Sequence, residues 1–370
     1  MWKNTLFIFG IVSIFRGFIA ILFENLVYKF ADIFAKNYFK FTIPLSLLFF
    51  SLTLLMVSRD YMGPVKNIDQ CQSDESISLY CGFNNPEDMA LLPDNKFFLM
   101  SEFGGIKPYE EKDGEGSFAL LRISDGTKIT PQIKFGENVW GDPSCKRNPS
   151  DNFGPHGVDL IQRDDGLIQF GVVNHSPFES VEFFELTQDA NSWLMTWRGC
   201  VIAPEENYFN DLSLKRDGSF YVTHMYERDI TVNEWLSAAL FKYSTGYVLK
   251  WDKKNFSKVV GSDGGQPNGI GLDEDSELLY VNYNLGDELR VINLLNGESI
   301  GRYKINSPDN MILLDQSIWL TSLDHETIDV MVNCDIEISV TCSLPFSIHE
   351  IDLVSLNKKN IYSFQETVFG

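Results

Sequence analysis

The segment GPHGVDLIQRDDGLIQFGVV, residues 154–173, shows most fully the pattern from which the fold can be predicted. It opens with polar and turn-forming residues, continues as an apolar alternating run, turns at Asp and Gly, and returns as a second apolar strand. Four other segments follow the same plan: NPEDMALLPDNKFFLM from Asn85, YFNDLSLKRDGSFYV from Tyr208, QPNGIGLDEDSELLYV from Gln266 and SPDNMILLDQSIWL from Ser307. Repeats of strand hairpins at intervals of roughly 40 to 70 residues predict stacked β-meanders, and radial stacking makes an all-β propeller.

The polar residues that open the repeats should gather where the inner strands begin, around the central channel. They are Glu87, Asp88, His156, Asn210, Asp211, Asn268, Asp309 and Asn310. Apart from the histidine, all of them offer oxygen atoms, which are the ligands of a hard cation such as calcium. Taken singly, each Asp or Asn could instead cap a turn, but their recurrence at matching positions of successive repeats favours a metal site. A bound divalent ion could polarise a carbonyl as a Lewis acid.

Two of the five histidines also fall in repeat-linked positions. His156 lies in FGPHGV and His175 in VVNHSP, at opposite ends of one predicted hairpin. Near a metal, one histidine could act as general base toward water, and the other could take the relayed proton or orient the first. For either histidine alone, a structural role is the alternative.

The net charge of −21 excludes a class of partners. So acidic a chain repels nucleic acid, and it also repels anionic lipid headgroups. The excess of carboxylates is compatible with calcium binding, although it could also serve only to keep a secreted domain soluble. Once residues 1–60 are set aside, the remaining residues 61–370 are enough for one propeller of five or six blades.

Residues 1–60 read as an N-terminal hydrophobic anchor rather than as part of the propeller. Residues 41–57 carry no charge over 17 positions, which is the lower limit for a membrane-spanning helix. Residues 6–23 are also apolar but contain Arg16, so the anchor has one membrane segment or two. A cleaved signal peptide is the alternative, but no small-residue cleavage site follows.

Lysines between the two apolar segments set the predicted orientation. They are Lys29, Lys36 and Lys40. Because positively charged loops stay in the cytoplasm, everything after residue 57 is expected in the ER lumen or outside the cell. The propeller would then be a membrane protein's luminal or extracellular domain.

All six cysteines follow the anchor, and none has a zinc-binding spacing. In an oxidising compartment we expect disulfides, with Cys71–Cys81 and Cys334–Cys342 as candidate local pairs, although connectivity cannot be derived from the sequence and unlinked buried cysteines are the alternative. Of the glycosylation sequons, Asn255 has the features of a loop site, whereas Asn174 lies beside His175 at a strand end.

The motifs taken together resemble a known family. PED at 86–88, GPHG at 154–157, VVNH at 172–175, FND at 209–211, PNGI at 267–270 and PDN at 308–310 are similar in order and spacing to the serum paraoxonase/arylesterase family. The resemblance covers residues 81–370. It implies a six-bladed propeller with two calcium ions in the channel, an N-terminal anchor, and calcium-dependent hydrolysis of lactones, aryl esters and, in some members, organophosphates.

The resemblance also implies roles for individual residues. The catalytic calcium would be held by Glu87, Asn210, Asn268, Asp309 and Asn310. The structural calcium would be held by Asp88, Asp211 and the main-chain carbonyl of Val158. His156 and His175 match the family's proposed catalytic dyad.

The chain departs from the family pattern at several places. Met225 stands where an acidic residue is expected, and the tyrosine expected after the first blade is replaced around Phe103 to Gly105. The sequence stops at Gly370, before the segment that completes the last blade in the family, so we expect an incomplete last blade and a missing partner for Cys71 or Cys81.

Two function hypotheses follow. The first is a membrane-anchored, calcium-dependent hydrolase of lactones and aryl esters, favoured by the two histidines. The second is a non-catalytic chaperone or assembly partner of membrane proteins, a role also found among paraoxonase-like proteins and favoured by the anchor and the altered pocket. A sugar-lactonase or strictosidine-synthase-like propeller would share the fold, but it would not predict this histidine pair.

Overall fold

The computed structural model describes residues 2–57, 73, 78–105, 107, 114–189, 192–325 and 344–364. The chain divides into two compact units, Met1–Tyr61 and Met62–Gly370. The first is helical and the second is built almost wholly of strands.

The N-terminal unit contains three helices: α1 (Trp2–Leu22), α2 (Glu24–Lys36) and α3 (Tyr38–Val57). Among the described helices, none taken alone is long and apolar enough to cross a bilayer. Gly10–Ile19 and Glu24–Lys36, bent by 104°, reach the required length and composition only as a pair. The membrane anchor over residues 1–60 therefore stays a prediction.

The second unit forms five sheets in its described part, each with antiparallel neighbours except where noted. The first has β1 (Pro86–Leu91), β2 (Phe97–Glu102), β3 (Ser117–Arg122) and β4 (Thr127–Ile129). The second, in the order β5-β9-β8-β7-β6 with β5 parallel to β9, has β5 (Gln132–Phe135), β6 (Pro155–Gln162), β7 (Ile168–Asn174), β8 (Ser180–Asp189) and β9 (Ser192–Ile202). The third has β10 (Asn207–Leu214), β11 (Phe220–Glu227), β12 (Tyr247–Trp251) and β13 (Phe256–Lys258).

The remaining two sheets complete the described strands. The fourth has β14 (Pro267–Asp273), β15 (Leu278–Tyr283), β16 (Glu288–Asn293) and β17 (Ser299–Lys304). The fifth has β18 (Pro308–Leu314), β19 (Ser317–Leu323), β20 (Phe346–Asp352) and β21 (Lys358–Phe364).

Each repeated segment forms the first two strands of one sheet, so β1, β6, β10, β14 and β18 are the inner strands of successive blades. The hairpin turns contain the predicted glycines, and Gly166 and Gly218 have φ of 84° and 87°, which an L-residue rarely adopts. The all-β propeller is therefore confirmed. The described residues form five blades, so the sixth blade implied by the resemblance is not found among them, and the last described sheet has four strands rather than the incomplete set expected.

Apolar side chains fill the spaces between neighbouring blades. Phe118 of the first blade packs edge-on against Phe170 and Phe184 of the second, with ring centroids 6.1 and 5.5 Å apart. Phe183 of the second blade contacts Phe220 and Trp251 of the third. Since aromatic side chains bury large apolar areas, these contacts stabilise the packing of neighbouring blades.

A single helix is inserted into the third blade. Helix α4 (Val232–Phe241) begins with a capping box between Thr231 and Glu234. Its Trp235 is buried and donates from Nε1 to Gln266 Oε1 at 3.0 Å. Leu240 and Phe241, at the end of the helix, are each 77% exposed.

A disulfide in the second blade joins the connection between β5 and β6 to strand β9. Cys145 and Cys200 are bonded, with Cα atoms 5.6 Å apart, a pairing that the sequence could not specify. Cys81 is also disulfide-bonded. Cys71, Cys334 and Cys342 lie outside the described residues, so the two predicted local pairs are not tested.

Candidate functional site

The polar residues that open the repeats lie in β-bulges. In all five inner strands the register shifts at the same place: after Pro86, Pro155, Phe209, Pro267 and Pro308. The shift skips Glu87, His156, Asn210, Asn268 and Asp309 with their neighbours, so these residues are released from regular pairing. A bulge re-aims side chains, which explains how five strands can direct polar groups toward one another.

The five residues predicted to hold a catalytic calcium do come together. Asn310 donates from Nδ2 to Glu87 Oε1 at 3.1 Å and to the Glu87 carbonyl at 2.9 Å. Asn268 hydrogen-bonds the Asp309 carboxyl. Asn210 Nδ2 lies 3.5 Å from Nε2 of His156, which is itself 3.4 Å from Glu87 Oε1. The cluster therefore includes residues from all five described blades.

Several oxygens in this cluster are buried without a hydrogen-bond partner. They are Glu87 Oε2, Asn210 Oδ1, Asn268 Oδ1 and Asn310 Oδ1. A buried polar atom left unpaired costs about 1–3 kcal/mol, so four at one place call for a ligand. Because all four are oxygens, the donor set fits a hard cation such as calcium. Within the described ranges, no group of three or more His, Cys, Asp or Glu side chains could hold a metal, since this set depends on asparagines.

The residues predicted to hold a structural calcium also lie close together. The Val158 amide donates to Asp88 Oδ2 at 2.8 Å, and the Ile270 amide donates to Asp211 Oδ2 at 3.0 Å. A Cβ added to Gly157 would stand 2.5 Å from Asp211 Oδ1, so the approach of β6 to β10 depends on that glycine. Asp88, Asp211 and the chain at Val158 therefore adjoin one another.

Burial and mutual repulsion raise the pKa of three carboxyl groups in the channel, whereas that of Glu87 is lowered. Burial, and then repulsion from a neighbouring carboxylate, raises the pKa of Asp88 and of Asp211 well above the usual range. Burial and the charge of Glu87 raise the pKa of Asp309 to about 7. Burial opposes ionisation of Glu87, but contacts with His156 and Asn310 outweigh it and lower the Glu87 pKa. A cation in the channel would relieve this repulsion.

His156 and His175 form a hydrogen-bonded pair. Pro155 and Asn174 are register partners on β6 and β7, which brings the two residues that follow them together. His156 Nδ1 lies 2.9 Å from His175 Nε2, and both rings are buried. The register of β6 and β7 therefore brings the two histidines together, with Nε2 of His156 beside Glu87 and Asn210.

Sequence reasoning missed a third member of this chain of contacts, Glu179. Its Oε2 lies 2.7 Å from His175 Nδ1, and its Oε1 accepts from the Phe209 amide at 2.8 Å. Glu179 is 4% exposed and directly precedes β8. The available signal was a carboxylate four residues after His175, but no motif pointed to it.

Apolar and aromatic groups surround the pair. Phe103 stacks on His156 with centroids 4.4 Å apart and planes at 20°. Tyr208 packs on His175 with centroids 4.8 Å apart. Met225, which stands where the resemblance implied an acidic residue, is buried and accepts a contact from Asn210 Nδ2 at 3.2 Å. The pocket wall is therefore apolar at this point.

The two sequons differ in accessibility. Asn255 is exposed, in the turn between β12 and β13, where its amide donates to Asp252 Oδ1. Asn174 is fully buried and its side chain holds the chain around Ser176 and Ser180. Only Asn255 is accessible to a glycosyltransferase in the folded domain.

Comparisons with known proteins give one partial family match. Residues 179–306 match the family model described as the SMP-30/Gluconolactonase/LRE-like region. No curated protein sequence is significantly similar to the chain. The matched region is that of the gluconolactonase-type domain, so the likeness to the paraoxonase family stays a resemblance.

Among solved structures the chain is similar to a nidogen/laminin complex, at 12% identity over 79% of this chain and 87% of that chain, with a TM-score of 0.47. It is similar to a gluconolactonase from Xanthomonas campestris, at 14% identity over 76% and 75%, with a TM-score of 0.40. It is also similar to the calcium-binding protein regucalcin from Agrobacterium tumefaciens, at 12% identity over 76% and 75%, with a TM-score of 0.42. At such low values these likenesses say nothing about the activity of this chain.

Proposed function

We propose that the protein is a calcium-dependent hydrolase of lactones, with aryl esters as further substrates. The observation that carries the proposal is the group of four buried, unpaired oxygens beside the Nε2 atom of His156. The match of residues 179–306 to the SMP-30/gluconolactonase region favours lactones among the esters. The acidic channel and the family resemblance favour calcium among the cations.

The channel residues would hold two ions. Glu87, Asn210, Asn268, Asp309 and Asn310 would hold the catalytic calcium, and Asp88, Asp211 and the Val158 carbonyl the structural one. A bound calcium supplies Lewis acidity, which polarises the substrate carbonyl and stabilises the negative charge that develops on its oxygen.

The histidine pair would activate the nucleophile. Water attacks the carbonyl carbon of the lactone, and its proton passes to Nε2 of His156 as the new C–O bond forms. His175 holds the ring of His156 through the 2.9 Å contact and can share the proton. The ring C–O bond then breaks, the leaving oxygen takes up a proton, and the product is a hydroxy acid. Phe103, Tyr208 and Met225 supply an apolar wall that excludes bulk water.

We further propose that the propeller is the luminal or extracellular domain of a membrane-anchored protein. The Cys145–Cys200 disulfide favours an oxidising compartment. The apolar N-terminal helices supply candidates for the anchor, and Asn255 is an accessible acceptor for glycosylation in that compartment.

Hydrolysis of a γ- or δ-lactone and of phenyl acetate by the full chain tests the proposal. We expect turnover with calcium, loss of turnover in EDTA, and recovery when calcium is restored. His156→Gln should lower kcat by about 10²–10⁴-fold, the usual contribution of a general base, while His349→Gln, in the outer part of the last blade, should not. If no ester is turned over while calcium still raises the melting temperature, the alternative of a non-catalytic chaperone or assembly partner of membrane proteins is favoured.

A further inference from the structure

Glu179 connects the histidine pair to the strand that carries Asn210 and Asp211. Its Oε2 lies 2.7 Å from His175 Nδ1, and its Oε1 accepts from the amide of Phe209, the residue before Asn210 on β10. The carboxyl group is almost fully buried, and His175 is 2% exposed. One carboxyl group therefore fixes the orientation of the imidazole relative to the strand with the candidate ligands.

The hydrogen-bond inventory fixes the protons along this chain of contacts. An ionised carboxylate only accepts hydrogen bonds, so His175 must carry its proton on Nδ1. A neutral His175 then has a free lone pair on Nε2, which accepts from Nδ1–H of His156 at 2.9 Å. His156 in turn has its lone pair on Nε2, to which Asn210 Nδ2 can donate across 3.5 Å. Glu87 Oε1, 3.4 Å from the same nitrogen, would bind the ion rather than accept a proton from this ring.

We propose that Glu179 is a positioning residue that selects the tautomer of both histidines and so presents the unprotonated Nε2 of His156 to the channel. This inference rests on the proposed hydrolase function for its catalytic consequence. Glu179 does not touch the substrate; it acts through His175. The sequence feature that encodes it is the spacing of four residues between His175 and Glu179.

Glu179→Gln tests the proposal because the geometry predicts that both histidines change from the Nδ1-protonated to the Nε2-protonated tautomer. The Phe209 amide still requires an acceptor, so it holds the carbonyl oxygen of the new amide group. The NH₂ group then faces His175 Nδ1, which must accept. His175 becomes protonated on Nε2 and donates to His156 Nδ1, which leaves the proton of His156 on Nε2, where it blocks base function.

The kinetic expectation is a loss in kcat without a matching change in KM. E179Q should lose about 10²–10⁴-fold in kcat, as expected when a general base is disabled, whereas Glu179→Asp, which can only accept, should recover part of the loss. The matched control is Glu185→Gln on β8, the strand that Glu179 directly precedes; Glu185 Oε2 pairs with Arg198 Nη2 at 2.6 Å. E185Q should keep wild-type kcat. A merely structural role would lower the melting temperature of E179Q with little effect on kcat.

A spectroscopic readout does not depend on turnover. In the full chain labelled with ¹⁵N-histidine, we expect Nε2 of both His156 and His175 to show acceptor-type resonances, and H156Q and H175Q assign the signals. In E179Q both should change to protonated-type resonances. An unchanged pattern in E179Q, or a wild-type His156 protonated on Nε2, overturns the proposal. If the expected tautomers are observed but the wild type turns over no lactone, the positioning by Glu179 stands and only the hydrolase fails.

Discussion

At the scale of single residues, the unpaired oxygen of Asn268 has the clearest energetic consequence. It is buried, and its Oδ1 has no partner in the described structure. Asn268→Leu removes that oxygen, whose burial costs about 1–3 kcal/mol, but it also removes the hydrogen bond to the Asp309 carboxyl. In EDTA the two effects should offset each other, so the variant should be about as stable as the wild type. With saturating calcium the wild type should be more stable than N268L, because the oxygen of Asn268 then binds the ion. Urea unfolding with and without calcium measures both.

A buried asparagine outside the cluster serves as the control. Asn207 is 1% exposed and donates to Tyr247 Oη at 3.1 Å. Asn207→Leu should destabilise the protein to the same extent with and without calcium. If N268L is less stable than the wild type by the same amount in both conditions, the oxygen of Asn268 does not bind the ion.

His224 should make the stability depend on pH below neutrality. Burial lowers its pKa to about 4, while Nδ1 accepts a hydrogen bond from the Tyr208 amide. The folded pKa lies below the unfolded value of 6.5. Between pH 4 and pH 6.5 the unfolded chain therefore binds more protons than the folded one. The stability that His224 contributes is therefore present above pH 6.5 and is lost as pH falls toward 4, by about 3 kcal/mol. In His224→Asn, whose Oδ1 can still accept, this part of the slope of unfolding free energy against pH should disappear. An unchanged slope would contradict the burial effect.

At the scale of elements, the sequence predicted the inner hairpins but not their irregularity. Alternating apolar residues and turns of Asp, Asn or Gly are local signals, and they identified the two inner strands of all five described blades. The bulges after Pro86, Pro155, Phe209, Pro267 and Pro308 are defined by the pairing of two strands, so alternation along a single strand does not show them. Glu179 was missed because one of its two partners is the backbone amide of Phe209, 30 residues away on β10, and because the other, His175 four residues before it, lies in no known motif with a carboxylate.

The bulge in β6 gives a prediction for Gly157. A Cβ there would lie 2.5 Å from Asp211 Oδ1 and 2.6 Å from the Asn210 carbonyl oxygen. Gly157→Ala should therefore push β6 away from β10, destabilise the fold by about 1–3 kcal/mol and weaken calcium binding.

Gly166→Ala is the matched control, since its Cβ would meet nothing within 4 Å but its φ of 84° adds strain. G166A should lower the melting temperature without altering the calcium dissociation constant. Equal calcium affinity in both variants would show that the approach of the strands is not needed for the site.

At the scale of the whole molecule, the cluster joins residues that are far apart in the sequence. Asn310 on β18 donates to Glu87 on β1 across a separation of 223 residues, so the last described blade is tied to the first. A bound ion at this place would stabilise the folded ring and not the unfolded chain, by RT ln(1 + [L]/Kd), or about 2.7 kcal/mol at a hundred times Kd. The melting temperature of the full chain should therefore rise with calcium concentration and fall in EDTA. Magnesium should have a smaller effect, since it demands near-octahedral geometry and keeps its water.

Hydrogen exchange should show where calcium acts. Amides of β1 and β18 should gain protection on calcium binding, whereas those of β4 and β13, at the outer edges of their blades, should not. Uniform protection of all strands would mean that calcium does not act through the channel.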